Sequence, residues 1–343
     1  MQTEVSSDAW RKLFLAASAF RTAAPWEWVS DSQLFGVVDP ETGERCYCSV
    51  MGGLGDYFAL GVYPGSEGFR SYHMLFSDDV DEDPNESLYY QRCMVGAFED
   101  EGELDEDDKI LARSLELNFD GDRQWPNFRS YRPGFMPWAM DAAEVNLMTI
   151  AYEQALIVTY QIKEDSAAFP SYNPAEPGKV SFRKLVGDAW TDVKLEPDSP
   201  VALSPAQLQY DAEKLKKAVS NWEKSQGIWL MEMFFLDKPV MEEEDERPYF
   251  PKAAVFMDMK DGRILGLDAI KPQEVETATL DTMLELFDHF GALPETIVVS
   301  NRANYILLKG FCRLAGIDLE LDEKLDVVDD LRNEIFGNMG NRE

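Results

Sequence analysis

The order of elements written into the last third of the chain constrains its fold more than any other feature. The apolar run Ile228–Leu236 is followed by an acidic loop and then a hairpin that pairs Ala253–Met259 with Arg263–Ile270 across Lys260-Asp261-Gly262. A long amphipathic helix comes next, then a short strand at Thr296–Ser300, a second helix, a strand at Ile317–Leu321 and a last helix. Three strands followed by helix, strand, helix, strand, helix predict a three-layer α/β domain around a mixed five-stranded sheet. Right-handed crossovers carry its later strands.

The first part of the chain reads differently. Apolar residues at helical spacing (Trp10, Leu13, Phe14, Ala17, Phe20) predict an opening helix that ends before Pro25. Strand-like runs follow at Leu34–Val38, Cys46–Met51 and Tyr57–Val62. Asp39–Glu44 and Gly52-Gly53-Leu54-Gly55 supply the turns of a meander. A further strand at Leu88–Phe98, helices at Lys109–Leu117 and Ala142–Ile162, and a hairpin through Trp190 complete an α+β domain around an antiparallel sheet. Ser204, followed by Pro205, reads as the cap of a helix reaching Trp222. The boundary falls near residue 200, giving domains 1–200 and 201–343.

Charge narrows the function. The chain has 343 residues and a formal net charge of −32. That field repels phosphate backbones and anionic membranes, so neither nucleic acid nor a membrane surface is an expected partner. Four cysteines in a chain of this length make no disulfide framework, and the start lacks the basic and apolar regions of a signal peptide. The expected compartment is cytoplasmic. The acidic runs Asp78–Glu86, Glu99–Asp108 and Glu242–Glu246 read as solvated loops. Asp79, Asp81 and Asp83 open like a calcium loop, but Pro84 stands where glycine is needed and Tyr90 where the bidentate glutamate belongs.

No constellation spells out chemistry. The glycine-rich loop leads into another strand-like run, so it reads as a hairpin turn and not as a phosphate cradle. Cys46, Cys48 and Cys93 lack an evident fourth ligand, and buried apolar cysteine is the commoner state. His73 and His289 are the sole histidines; His289 suits the negative end of a helix closing at Gly291. No cofactor and no metal are expected. In the first domain an irregular, proline-containing segment places Arg123, Arg129 and Arg132 among Trp125, Tyr131, Trp138 and other aromatics. The sharper reading is a recognition surface for an unidentified protein or a small anionic ligand. The plainer one pairs these arginines with Glu99–Asp108 while the aromatics cover the core.

Two resemblances follow from these motifs. The text Phe287-Asp-His-Phe-Gly-Ala-Leu-Pro-Glu-Thr-Ile-Val-Val-Ser-Asn301, then Phe311-Cys-Arg-Leu-Ala-Gly-Ile-Asp-Leu319, resembles the integrase and transposase branch of the ribonuclease-H-like fold. The whole chain, through Tyr47–Gly68 and Arg247-Pro-Tyr-Phe-Pro251, also resembles a bacterial two-domain family of unknown function. The first resemblance implies ribonuclease-H-like strand order, with Ile297–Val299 inside the sheet and parallel to Ile228–Leu236, and three carboxylates holding two metal ions. Glu232 stands in the first strand, with Asp258 nearby in the second. Asp326, Asp329 and Asp330 stand in the last helix, Asp329 being the third carboxylate of a surviving set. The fourth strand, however, ends in Ser300-Asn301-Arg302 where the resemblance implies Asp-Asn-Gly. The expectation is therefore a non-catalytic binding or regulatory module; the alternative is a metal-dependent nuclease using Glu232, Asp258 and Asp329.

Overall fold

The computed structural model describes residues 5–75, 84–173, 175–176, 178–198, 207–243, 246–325, 327–328, 330–333 and 335. The chain divides into two compact units. One comprises Met1–Ser77, Gln91–Arg132 and Pro137–Val201; the other comprises Asp78–Tyr90, Pro133–Met136 and Ala202–Glu343. Both are mixed α/β structures.

The first unit opens with α1 (Ser7–Ala23), capped by the Ser6 hydroxyl, which accepts from the Ala9 N–H at 3.3 Å. It continues through β1 (Phe35–Val38), β2 (Arg45–Met51), β3 (Ala59–Pro64), α2 (Gly65–Met74) and β4 (Cys93–Glu99). Then come α3 (Glu106–Ser114), β5 (Trp125–Tyr131), α4 (Ala142–Glu164), β6 (Val180–Val186) and β7 (Ala189–Leu195). The strands form one sheet in the order β5-β4-β3-β2-β1-β6-β7. Its core on one side buries Phe14, Phe20, Val50, Leu60, Phe98, Met148 and Tyr152 between the sheet, α1 and α4. Strand alternation sends Tyr47, Tyr63 and Phe182 to the other side, against Phe69 and Tyr72 of α2.

Two expectations need correction here, and one helix is additional to those expected. The sheet is not purely antiparallel, because β6 joins β1 in parallel. The cause is α4: its 23 residues span about 34 Å and carry the chain from β5 at one edge back across the sheet. An Asp141–Glu144 capping box fixes where that helix starts. Next, the arginine–aromatic segment is not irregular, since Trp125–Tyr131 is an edge strand paired along its length with β4. Pro126 is tolerated because an edge strand needs amides on one side only. Finally, helix α2 (Gly65–Met74) has no counterpart among the expected elements.

In the second unit, α5 (Ala212–Val219) is capped by Asp211, whose Oδ1 accepts from the Glu213 and Lys214 N–H groups. This helix is shorter than the expected one; Ser204 and Pro205 lie outside the described residues. The elements that follow are β8 (Glu223–Lys224), β9 (Ile228–Phe235), β10 (Lys252–Asp258), β11 (Ile264–Ile270), α6 (Val275–Phe290), β12 (Ala292–Leu293), β13 (Thr296–Val299), α7 (Arg302–Ala315) and β14 (Asp318–Leu321). Strands β8 and β12 form a small parallel pair. The main sheet has the order β11-β10-β9-β13-β14. Its β11–β10 and β10–β9 pairings are antiparallel, while β9–β13 and β13–β14 are parallel. Thus β13 lies inside the sheet, parallel to the central strand. One sheet face packs on α5, α6 and α7 through Trp229, Met231, Phe256, Phe287, Leu308 and Phe311. The other buries Leu230, Phe234 and Val255 against Val328, Leu331 and Ile335 of the helical residues near the C-terminus.

Candidate functional site

Strand β9 alternates its side chains between two apolar faces, so a carboxylate on it is conspicuous. Glu232 shares the face of Leu230 and Phe234, pairs across the sheet with Val255, and is fully buried. Strand β13 brings the groups that make this burial tolerable. Its register places Val298 beside Leu230; two residues further on, Ser300 comes level with Glu232. The Ser300 hydroxyl donates to Oε2 of Glu232. Oε1 accepts from three groups: Asn304 Nδ2 at 2.8 Å, Asn301 Nδ2 at 3.0 Å and the Met233 N–H at 3.1 Å.

The two asparagines stand where they do because α7 starts here. Asn301 is its N-cap, with Oδ1 accepting from the Asn304 N–H at 2.9 Å. Both amides then face the carboxylate, at the helix end where negative charge is favoured. Burial pushes the Glu232 carboxyl above the ordinary glutamate range. The Ser300 hydroxyl, the Met233 N–H and the Arg332 charge act against that shift, while Glu86 adds to it. Arg332 lies over the Phe234 ring, with Cζ 5.1 Å from its centroid. Glu86 is also buried and accepts from the Phe235 N–H at 2.6 Å.

This set does not fit a pair of catalytic metal ions. Glu232 has both oxygens engaged by neutral donors, and the neighbouring strand offers a hydroxyl instead of a second carboxylate. Asp258 belongs to the opposite face of the sheet, in step with Ala254 and Phe256, and is three positions along from Val255. Its Oδ1 instead accepts from the Lys260 N–H in the β10–β11 turn, at 2.8 Å. The sequence pairing of Glu232 with Asp258 therefore fails on strand alternation. Asp329 and Asp326 lie outside the described residues, and Asp330 is exposed. Among the described residues no three His, Cys, Asp or Glu side chains are grouped to hold a metal ion.

Sequence reasoning singled out Glu232 and the odd Ser300 but missed the amide donors. The missed signal is the pair Asn301 and Asn304, spaced as an N-cap and the third residue of the helix behind a buried acid. Glu86 and Arg332 approach from positions more than 90 residues away in either direction, and no local pattern points to them.

In the arginine–aromatic cluster of the first unit, each guanidinium has partners within that unit. Arg129 makes a forked contact with Asp108 and a further bond to Asp105 at 3.0 Å. Arg132 bonds Asp141 and Glu144, each at 3.2 Å. Arg123 donates to the Gly55 and Asp56 carbonyls and lies over the Phe58 ring. Trp125 packs on Phe119, Tyr131 against the core beside β4, and Trp138 exchanges two backbone hydrogen bonds with Ser130. Of the three guanidinium groups, that of Arg129 pairs with the Glu99–Asp108 run, whereas those of Arg123 and Arg132 hold partners elsewhere in their own unit.

The remaining sequence motifs are structural. All four cysteines are buried and unpaired, and burial raises their thiol pKa values, so none is a ready thiolate. The loop Gly52–Gly55 joins β2 to β3 as a turn. Among the described residues no helix is long and apolar enough to cross a membrane.

Comparison with known proteins adds two family models, each described as a domain of unknown function. DUF7309 matches residues 10–177 and DUF6930 matches residues 213–336. No curated protein matches the chain. Solved structures similar to it include the HTLV-2 integrase catalytic core domain in complex with magnesium, in a dimeric and a trimeric form. Identity is 15% in both cases, with 35% and 36% of this chain and 79% of each of those chains covered, at TM-scores of 0.23 and 0.24.

Proposed function

We propose that the protein works by binding, and that its second unit is a ribonuclease-H-like scaffold in which the metal-dependent chemistry of that fold has been replaced by an internal hydrogen-bond lock. The strand order β11-β10-β9-β13-β14, antiparallel on one side of β9 and parallel on the other, supports the scaffold. One observation carries the functional half of the reading: the carboxylate on the central strand spends both oxygens on Ser300, Asn301, Asn304 and a backbone N–H. A group so satisfied and so buried has no access to water to activate. A divalent ion bound through both oxygens would have to displace the three donors that crowd Oε1 and share Oε2 with the Ser300 hydroxyl. The charge of −32 works in the same direction, since it disfavours approach of a polyanionic substrate.

The test is incubation of the purified protein with single- and double-stranded DNA and RNA in Mg²⁺ or Mn²⁺. The expected result is no cleavage above that of a Glu232→Gln sample prepared identically. Cleavage by the unmodified chain that disappears in Glu232→Gln would return the nuclease reading to first place.

A further inference from the structure

Among the described residues β11 is hydrogen-bonded on one side only, by β10, and so forms an edge of the main sheet. Exposed edges are usually blunted by lysine, by proline or by cover from another element. Residues 264–270 contain neither lysine nor proline, the register shift of this pair lies at the start of β11 between Ile264 and Gly266, and Leu267 beyond it is 53% exposed. The Ala269 N–H turns away from β10 to the Asp268 side chain, at 2.9 Å. By the two-residue period of a strand, the Leu267 N–H points outward as well.

Beside this edge runs a groove of about 540 Å³. Gly266 and Asp268 of β11 form one wall; Thr282, Glu285, Leu286 and His289, one face of α6, form the other. Each wall carries one carboxylate, Asp268 on β11 and Glu285 on α6, and neither wall carries a lysine or arginine. Asp268 is held in place by Thr282, whose hydroxyl donates to Oδ2 at 3.2 Å.

We propose that this edge takes an extended basic peptide of a partner protein as a sixth strand. Backbone groups of the peptide pair with the outward groups of β11 around Leu267, as in other strand additions. Its alternate side chains fall on opposite faces. One set, lysine or arginine, enters the groove between Asp268 and Glu285; the other, apolar, covers Leu267. The inference rests on the reading of a binding protein but concerns a site apart from Glu232. A failed peptide titration would remove it and leave the outcome of the nuclease assay untouched.

The experiment is an amide-resolved NMR titration of the full chain with the blocked octapeptide (Lys-Val)4, with (Glu-Val)4 as control. The expected result is saturable shifts centred on residues 264–270 and 282–289 with (Lys-Val)4, none with (Glu-Val)4, and slowed hydrogen exchange at the Leu267 amide. Glu285→Lys should weaken the interaction at least tenfold, and Leu267→Pro, which removes an outward amide, should abolish it. Melting curves identify the variants that fold; if Leu267→Pro does not, Glu285→Lys alone decides. Equal response to both peptides, no response to either, or an unchanged affinity in Glu285→Lys overturns the proposal. So do the same shifts appearing on concentrating the protein without peptide, because a second copy would then be the occupant.

Discussion

Glu232→Ala is expected to destabilise the second unit by about 3 kcal/mol or more, because it strands the neutral donors of a buried hydrogen-bond network. The loss has two parts. Ser300, Asn301, Asn304 and the Met233 N–H are left facing a cavity with no acceptor, and each unsatisfied buried donor costs about 1–3 kcal/mol before relaxation. Asn301 also loses the contact that orients the cap of α7. Glu232→Gln is expected to cost less, because it keeps the shape and one acceptor oxygen. The two variants also separate by pH. Burial raises the folded-state pKa of Glu232, so the folded state binds this proton more tightly than the unfolded chain does. The associated stability is full below the unfolded value and is lost as pH rises through the raised folded value. Glu232→Gln should lack this decline. Urea unfolding between pH 4 and pH 8, followed by tryptophan fluorescence, measures both effects. A Glu232→Ala variant within 1 kcal/mol of the unmodified chain would remove the lock from the account.

Gly96→Ala should be of similar severity in the first unit, at about 3 kcal/mol or more. A methyl at this position of β4 would lie 2.2 Å from the Tyr152 hydroxyl and 2.9 Å from the Met148 methyl. Neither neighbour has room to yield, since both are fully buried between α4 and the sheet. Overpacking of a dense core costs about 1–3 kcal/mol by itself. Here the clash also breaks the bond from the Tyr152 hydroxyl to the Gly96 carbonyl, 2.7 Å long. The checking measurement is a double-mutant cycle with Tyr152→Phe. Removing the hydroxyl relieves the closest contact, so the double variant should be more stable than the sum of the single losses implies. Strict additivity would mean that the strand and helix adjust independently, contrary to the close packing described.

What could be read in the sequence was whatever local chemistry dictates. Helices α6 and α7 end at Gly291 and Gly316, which hold the left-handed conformation that other residues resist. The apolar run of β9, interrupted by Glu232, marks a strand covered on both faces. The β10–β11 hairpin follows from its Asp-Gly turn, and the opening helix from its spacing. Features that depend on distant partners were not readable. Nothing near Val180–Val186 announces that it will lie parallel to β1, because that pairing is set by the path of α4 across the sheet. Trp125–Tyr131 looked irregular because proline and arginine suppress the strand signal, although both are acceptable on an edge. At the site, Glu232 and Ser300 were visible as residues. Their relation was not: it arises from the β9–β13 register and the cap of α7, and it turns an apparently missing ligand into a hydrogen-bond donor.

The central claim is that Glu232 is held by neutral donors and not kept for a metal ion. The most direct measurement is the melting temperature of the unmodified chain and of Glu232→Gln across a Mn²⁺ titration from micromolar to millimolar. A ligand bound only by the folded state raises stability by about 1.4 kcal/mol for each tenfold excess over its dissociation constant. The two proteins should show flat or parallel responses, with no increment that depends on Glu232. A saturable rise in the unmodified chain that is absent from Glu232→Gln would contradict the claim.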